Sequence, residues 1–341
     1  MAQRIPGKLD LDQSYNDTWR GWPVRPHDRQ HPIRGSFLDP RPDPALGAIY
    51  HEGIDVAVRD DRPEPGHPPG RTHRVYAIEG GPVRSATPRG QRGSVHIAHF
   101  GYGHIDPVVL AGETVAPGQH IGWTVQGDWH VHLTEFLFTT SGELKVNPLR
   151  PGGKLAPYVD TAAPVIREVR FATMARPEWG RRPQTSVALL PPAGQRIARD
   201  RLFGTVDVRV RAGDPQSFLG WFSDLPHMAA PHHPFRLSVA IFEADSGRLV
   251  RRREAFRAEQ LLDQPAGLHY APGTEQNLPA KGCMRQPPGV RCDGIYWFRA
   301  FPRGWDTRRH PDGRFRVRVR VWDVAGNRAE ASVPVTLDNG L

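Results

Sequence analysis

Alternation of apolar and polar residues with a period of two is the feature that most constrains the fold of this chain. It is clearest between Gly313 and Asp323, where Arg occupies one set of alternate positions and Phe or Val the other. Strand residues two apart point to the same side of a sheet, so the pattern predicts a half-buried strand. No long segment has the apolar period of a helix, and 35 Gly and 35 Pro favour short strands and turns. We therefore expect an all-β protein.

The length of 341 residues is sufficient for two domains. Residues 1–30 are polar and contain Trp and Pro, which predicts an extended N-terminal arm. We expect an antiparallel β-sheet domain over residues 31–147 and a Pro/Gly-rich linker over 148–159. Residues 160–341 contain alternating segments separated by turns, which predicts a second domain that is a β-sandwich.

Two proline-rich stretches of the first domain are predicted to be loops. The stretch Asp39–Pro44 contains three prolines, each of which fixes φ and lacks a backbone donor. Residues 60–72 are rich in Pro and Gly and are expected to form a surface excursion.

The formal net charge of +9 comes mainly from Arg residues spread along the chain. Such a charge attracts anionic polymers, including nucleic acid and cell-wall polymers. There is no recognition helix and no basic-aromatic RNA motif, so we do not expect nucleic acid as a partner. No run of about 18 apolar residues is present, so no membrane span is expected. The sequence does not indicate an oligomeric state.

The two cysteines bear on cellular location. Cys283 and Cys292 are separated by eight residues that include Pro-Pro-Gly. They form either a local disulfide, which fits an exported protein, or two free thiols. The start Met1-Ala-Gln-Arg has no apolar core and is not a signal peptide. A secreted or cell-envelope location would therefore require a leader that this sequence does not contain.

The segment Trp129–Phe136 carries the residues of greatest chemical interest. It alternates, so His130 and His132 project side by side from one face of a strand. Two neighbouring imidazoles suit a metal site or a proton-transfer site. The alternative is a pair of surface histidines in a chain that contains 16 of them.

A second pair of donors lies earlier in the chain. His51 and Asp55 are four residues apart, and on a regular strand they would be separated by roughly 13 Å. That distance is too large to share one ion, so the chain must bend or bulge at Glu52-Gly53, where Gly permits it. His132 can then complete a set of three ligands.

Three short motifs occur in a characteristic order. They are His51-x-Gly-x-Asp55, Tyr102-x-His104 and His130-x-His132. In this order they resemble the motifs of the lysostaphin/LytM-like zinc metallopeptidases, peptidase family M23. The stretch from Gly112 to Gly122 is similar to the family's segment between its second and third motifs, and the resemblance covers roughly residues 31–140. It implies a grooved antiparallel β-sheet domain, bound Zn²⁺, and cleavage of stem peptides or cross-bridges of bacterial peptidoglycan.

The resemblance also implies a role for each site residue. His51, Asp55 and His132 would be the zinc ligands, and His104 and His130 the two catalytic histidines. A neutral imidazole can accept a proton from water or donate a hydrogen bond to an oxyanion, which fits the latter role. The short link before His104 and the added 60–72 loop depart from the family, so the bond specificity is not carried over.

Other polar residues near these motifs are expected to be structural. The remaining histidines of interest are His96, His99, His120, His227, His232 and His233. We expect His96 and His99 at a solvated strand edge, and no metal at the last three. Glu135 points away from the paired histidines and is expected to hydrogen-bond within the sheet. Asp106 is close enough in sequence to orient His104.

The second region resembles bacterial immunoglobulin-like or fibronectin-like modules, through the closing turn Asp323-x-Ala-Gly-Asn327. It contains no catalytic set. Two functions follow from the whole sequence. One is a secreted zinc endopeptidase acting on peptidoglycan, and the other is a metal-retaining but inactive M23-like binding module of the envelope. The presence of both His104 and His130 favours the enzyme.

Overall fold

The computed structural model describes residues 21–43, 47–88, 93–174, 194–220, 223–224, 231–277 and 294–340. Within these ranges the regular structure consists of β-strands with a few 3-10 turns, and no α-helix occurs. The strands pair antiparallel. The expected all-β fold is thus confirmed. No helix of the described ranges has the length and hydropathy that a membrane span requires.

The strands of the first part of the chain are short, with one exception. They are β1 (Ile33–Gly35), β2 (Pro40–Asp43), β3 (Gly47–Tyr50), β4 (Ile54–Ala57), β5 (Arg71–Tyr76), β6 (Gly81–Thr87), β7 (Ser94–Ile97), β8 (Phe100–Gly103), β9 (Ile105–Pro107), β10 (Thr114–Val115), β11 (His120–Val125), β12 (His130–Thr139) and β13 (Gly142–Val146).

The ten-residue strand β12 is central to the largest sheet. This sheet has eight strands in the order β1-β4-β12-β8-β7-β6-β10, and β13 also pairs with β12. Strand β12 therefore has β4 on one side and β8 on the other where the paired histidines lie. A three-stranded sheet, β5-β11-β9, and the hairpin β2-β3 complete this part.

The second part of the chain contains longer strands in two sheets. They are β14 (Val165–Thr173), β15 (Thr205–Gly213), β16 (Arg236–Glu243), β17 (Leu249–Arg257), β18 (Trp297–Arg299), β19 (Trp305–Asp306), β20 (Gly313–Trp322) and β21 (Arg328–Leu337). One sheet has the order β14-β15-β18, with β19 also on β15, and the other has the order β17-β16-β20-β21.

The alternation in β20 has the consequence predicted from the sequence. The alternating apolar side chains of this strand are buried, and they are Phe315, Val317, Val319 and Val321. The arginines between them lie on the outer face, where Arg316 and Arg318 contact the ring of Phe242. The apolar residues of β15, from one sheet, and of β16 and β20, from the other, belong to one buried cluster. Burial of this apolar surface stabilises the packing of the two sheets.

The loop predicted at Asp39–Pro44 is wrong in part, because Pro40–Asp43 forms β2 and pairs with β3. The prolines are tolerated because β3 is the one strand that pairs with β2 among the described residues, so donors on the other side of β2 are not required. This hairpin matters for the site, because it carries Arg41.

Residues 21–30 of the predicted arm and the predicted linker are packed against other described parts of the chain. In the described part of the arm, Trp22 and Val24 are fully buried. The Trp22 indole Nε1 donates a hydrogen bond to the Pro157 carbonyl oxygen, which joins the arm to the segment between β13 and β14. In that segment Lys154 and Leu155 are also buried.

Candidate metal centre

Three donor atoms from separate segments converge beside β12. His51 Nε2 lies 2.9 Å from His132 Nδ1 and 3.1 Å from Asp55 Oδ1. His132 Nδ1 lies 3.2 Å from the same Asp55 oxygen. The register explains the contact, because His132 of β12 is directly opposite Asp55 of β4. The three atoms form a compact group that could hold one metal ion.

The spacing of these atoms fits a small tetrahedral ion. With zinc–ligand bonds of 2.0–2.2 Å, two ligand atoms of a tetrahedron are separated by about 3.3 Å. The three separations given above, between 2.9 and 3.2 Å, are close to that value. Two imidazole nitrogens and one carboxylate oxygen are also donor types that zinc accepts. The residues present therefore fit a zinc ion.

An interruption of the regular strand structure at residues 51–53 makes this convergence possible. Strand β3 ends at Tyr50 and β4 begins at Ile54, so His51 is not in a regular strand. Gly53 lies so close to β12 that an added Cβ would be 2.4 Å from the Leu133 carbonyl oxygen. The expected interruption of the strand at Gly53 is present. Gly is also required there because the backbone of residue 53 lies against the backbone of Leu133.

Hydrogen bonds outside the group fix the orientation of each ligand. His51 Nδ1 donates to the Ser36 carbonyl oxygen at 2.9 Å, which leaves Nε2 with a free lone pair. His132 Nε2 lies 3.0 Å from the Thr134 hydroxyl, which favours Nδ1 as its metal-binding atom. Such outer contacts set the tautomer and the ring orientation of metal-bound histidines.

The electrostatics of the group favour the protonation states that a metal requires. Burial lowers the pKa of His51, so its imidazole is neutral at pH 7. Burial alone would raise the pKa of Asp55, but His51 and His130 outweigh this effect and hold the pKa well below its usual range. Asp55 is therefore a carboxylate.

The two remaining histidines of the motifs lie directly beside the ligand group. His130 Nε2 is 3.5 Å from Asp55 Oδ1, and the rings of His104 and His130 are 4.6 Å apart between centroids. His104 follows β8 with a φ of 61°, a left-handed conformation that is uncommon for residues other than Gly. The structure thus brings all five predicted site residues together.

Arg34 and the Asp128 backbone hold His130 in place. The Nδ1 atom of His130 contacts the Asp128 carbonyl oxygen and lies 2.9 Å from Arg34 Nη1. If Nδ1–H donates to Asp128, Nε2 keeps a free lone pair toward the site. Burial lowers the pKa of His130 to about 3 and also lowers the pKa of His104. Both imidazoles are therefore neutral at pH 7.

The second part of the chain supports the loop that carries Ser36. Four hydrogen bonds link this loop and β2 to the second part of the chain, and each joins residues more than 190 positions apart in sequence. They run from His233 Nε2 to the Phe37 carbonyl, from the Tyr270 hydroxyl to the Leu38 carbonyl, from the Tyr296 hydroxyl to Asp39 Oδ1, and from Arg41 Nη1 to Gln276 Oε1. The two parts of the chain thus build the surroundings of the site together.

Two expectations about neighbouring residues are wrong. Asp106 does not orient His104, because its carboxylate binds the guanidinium of Arg71. His99 is not at a solvated edge, because it is buried and its Nδ1 lies 2.9 Å from Glu79. In both cases a charged partner distant in sequence determines the position of the side chain.

The other expectations have mixed outcomes. Glu135 is buried, and its carboxylate accepts hydrogen bonds from Arg150, at 2.7 and 2.9 Å. His120 is structural, with Nε2 bonded to the Gly122 carbonyl oxygen. His96 is half-buried and packs on the ring of Phe136. His227, Cys283 and Cys292 lie outside the described residues.

Sequence reasoning missed several residues that orient the site. Arg34, Ser36 and Arg41 lie outside the motifs, and nothing in their local sequence indicates contact with the histidines. Thr134 could have been found, because it is two residues from His132 on the same strand face.

Comparisons with known protein families, with curated proteins and with solved structures found no match for this chain.

Proposed function

We propose that this protein is a zinc metalloendopeptidase of the lysostaphin/LytM-like type, which hydrolyses peptide bonds in peptidoglycan stem peptides or cross-bridges. The observation that carries the proposal is the group of three ligand atoms with two neutral histidines beside it. The ordered sequence motifs, which resemble family M23, support the choice of substrate. The same resemblances favour an M23-like first domain, an immunoglobulin-like second domain and a location in the cell envelope.

His51, Asp55 and His132 would hold the zinc ion. When bound, zinc polarises the carbonyl of the scissile peptide and lowers the pKa of a bound water toward roughly 7.

The chain's own groups then have separate tasks. His130, neutral and with Nε2 facing Asp55, can accept the proton of the attacking water. His104, whose ring centroid lies 4.6 Å from that of His130 and 6.1 Å from that of His132, can donate a hydrogen bond to the oxyanion. Arg34 Nη1 donates to the same Asp128 carbonyl oxygen that His130 Nδ1 contacts, and so helps to fix the position of that acceptor.

Two measurements test the enzyme against the alternative of an inactive, metal-retaining module. Purified protein should contain about one zinc per chain, and His132→Ala should lose it. Release of muropeptides from purified sacculi should fall by about 10²–10⁴-fold in His130→Ala, with zinc retained. His67→Ala, at an exposed histidine, is the control and should act as wild type. Zinc-loaded wild type that cleaves neither sacculi nor a glycine-rich peptide would favour the binding module.

A further inference from the structure

Three carboxylates meet at one end of the second part of the chain. Asp160 precedes β14, Asp214 directly follows β15, and Asp323 directly follows β20. One oxygen from each lies within 4.8 Å of the other two. Three segments that are far apart in sequence thus direct acidic oxygens to one point. None of the three residues belongs to the proposed zinc site.

These carboxylates lack the counter-ions that other buried acids of this protein have. Glu135 pairs with Arg150, and Asp207 pairs with Arg209. In the described part of the chain, no Arg or Lys is within ion-pair distance of the three carboxylates. Asp160 and Asp323 are 8% and 2% exposed, so bulk water does not compensate their charge. Burying unpaired charges in this way is costly unless another cation is present.

Neutral donors orient two of the carboxylates without neutralising them. Asp160 Oδ1 accepts the backbone N–H groups of Ala162 and Ser217, at 3.0 and 3.3 Å. Asp323 accepts the backbone N–H and the side-chain amide of Asn327, at 2.8 and 2.7 Å. The third carboxylate differs, because Asp214 Oδ1 is inaccessible to solvent and has no hydrogen-bond partner among the described residues.

A buried histidine beside the cluster provides a second, independent observation. His232 and Asp214 exchange both backbone hydrogen bonds, at 2.7 and 2.9 Å, so their side chains are on the same face. His232 is 6% exposed, and within the described part of the chain its Nε2 atom has no hydrogen-bond partner. The same cavity is lined by His232, Asp160 and Asp214. A buried histidine with an unpartnered nitrogen therefore lines the same small cavity as two of the three carboxylates.

The pKa values of two of these carboxyl groups agree with a site that lacks positive charge. Burial, reinforced by Asp323 and Asp160, raises the pKa of Asp214 to about 9. Burial also raises the pKa of Asp323. Without a cation, one proton must be held among the three groups at neutral pH.

We propose that Asp160, Asp214 and Asp323 bind a Ca²⁺ ion, which ties the segment before β14 to the ends of β15 and β20. Donor sets of oxygen only favour hard cations. Calcium–oxygen bonds of 2.3–2.6 Å place ligand atoms up to about 5 Å apart, which accommodates the observed spread. His232 Nε2 can accept a hydrogen bond from a water that completes the coordination shell.

Calorimetric titration of the full chain with CaCl₂ tests the proposal. The protein is first stripped of metal and reloaded with one equivalent of Zn²⁺, so that the histidine site is filled. We expect one Ca²⁺ per chain and a rise in Tm when Ca²⁺ is added. Asp214→Asn should weaken Ca²⁺ binding by about tenfold or more, because it removes one of three anionic ligands. Asp245→Asn is the matched control, since Asp245 is exposed and pairs with Arg314.

Each outcome has a defined meaning. Wild type that binds no Ca²⁺ overturns the proposal, as does undiminished binding in both Asp214→Asn and Asp323→Asn. If Asp214→Asn does not fold, the Ca²⁺ titrations of wild type and of Asp160→Asn test the proposal instead. Without Ca²⁺, Asp214→Asn should have a Tm at least equal to that of wild type, because it removes a buried carboxylate. Zinc content and peptidoglycan cleavage are separate readouts, so this proposal can fail independently of the proposed function.

Discussion

Arg41 Nη2 lies 3.0 Å from Asp55 Oδ2, while Oδ1 of the same carboxylate lies 3.1 Å from His51 Nε2. The two oxygens of Asp55 therefore have different partners. Arg41 holds one oxygen, and this directs the other toward the histidines. Because Arg41 lies on the hairpin β2-β3, we infer that this hairpin positions a proposed metal ligand.

Replacement of Arg41 should weaken zinc binding without removing a ligand. In Arg41→Met the Asp55 carboxylate loses its anchor, and we expect zinc affinity to fall by about 10–100-fold. Competition with a chromogenic chelator measures the change. Arg201→Met, at an exposed arginine that pairs with Asp338, is the control. Equal affinities of the two variants would show that Arg41 does not position Asp55.

The contact between Tyr296 and Asp39 should contribute to stability. The Tyr296 hydroxyl donates to Asp39 Oδ1 at 2.8 Å, and the other Asp39 oxygen has no hydrogen-bond partner. Tyr296→Phe leaves a fully buried carboxylate with less support, so we expect the free energy of unfolding to fall by about 1–3 kcal/mol. Urea denaturation monitored by Trp fluorescence measures it. An unchanged midpoint with an unchanged slope would contradict the expectation.

A methyl group at residue 53 should disrupt the site. In Gly53→Ala the new Cβ would be 2.4 Å from the Leu133 carbonyl oxygen and 2.8 Å from His132 Nε2. We expect a lower Tm and reduced zinc retention, because β12 must move away from β4. The matched control is Gly213→Ala, where the nearest atom would be 3.4 Å away, an ordinary contact. Similar Tm values for both variants would count against close packing at Gly53.

Buried neutral histidines should make the metal-free protein less stable in mild acid. Burial lowers the pKa of His31, His232 and His269 to about 4, whereas an unfolded histidine has a pKa of 6.5. Between these values the unfolded chain binds more protons, so the free energy of unfolding falls as pH decreases from 6.5 to 4. Above pH 6.5 these groups contribute no slope.

Replacement of His269 isolates one of these contributions. His269→Phe cannot take up a proton when unfolded, so its free energy of unfolding should lose about 2–3 kcal/mol less than wild type between pH 7 and pH 4. Denaturant unfolding at both pH values, with metal removed, gives the difference. Identical pH dependence in the two proteins would mean that His269 titrates normally in the fold.

The local pattern of the chain was sufficient to predict much of the fold. Alternation located β12, β15, β16 and β20, because the side chains of a strand face two sides in turn. The prediction failed at Pro40–Asp43, where proline content indicated a loop and tertiary context produced a hairpin strand. It also failed for His99, whose partner Glu79 is twenty residues away. Pairing between such segments leaves no periodic signal.

The same division holds at the site. By itself, the sequence determined that His130 and His132 share a strand face and that the strand must bend or bulge near Gly53. The motif resemblance implied different roles for the two histidines, and the tertiary structure shows a physical difference between them, because the register places His132, rather than His130, opposite Asp55. The tertiary structure alone revealed that Arg41 contacts Asp55 and that three distant carboxylates meet. Strand geometry acts between neighbours in sequence, whereas ligand distances depend on how distant segments pack.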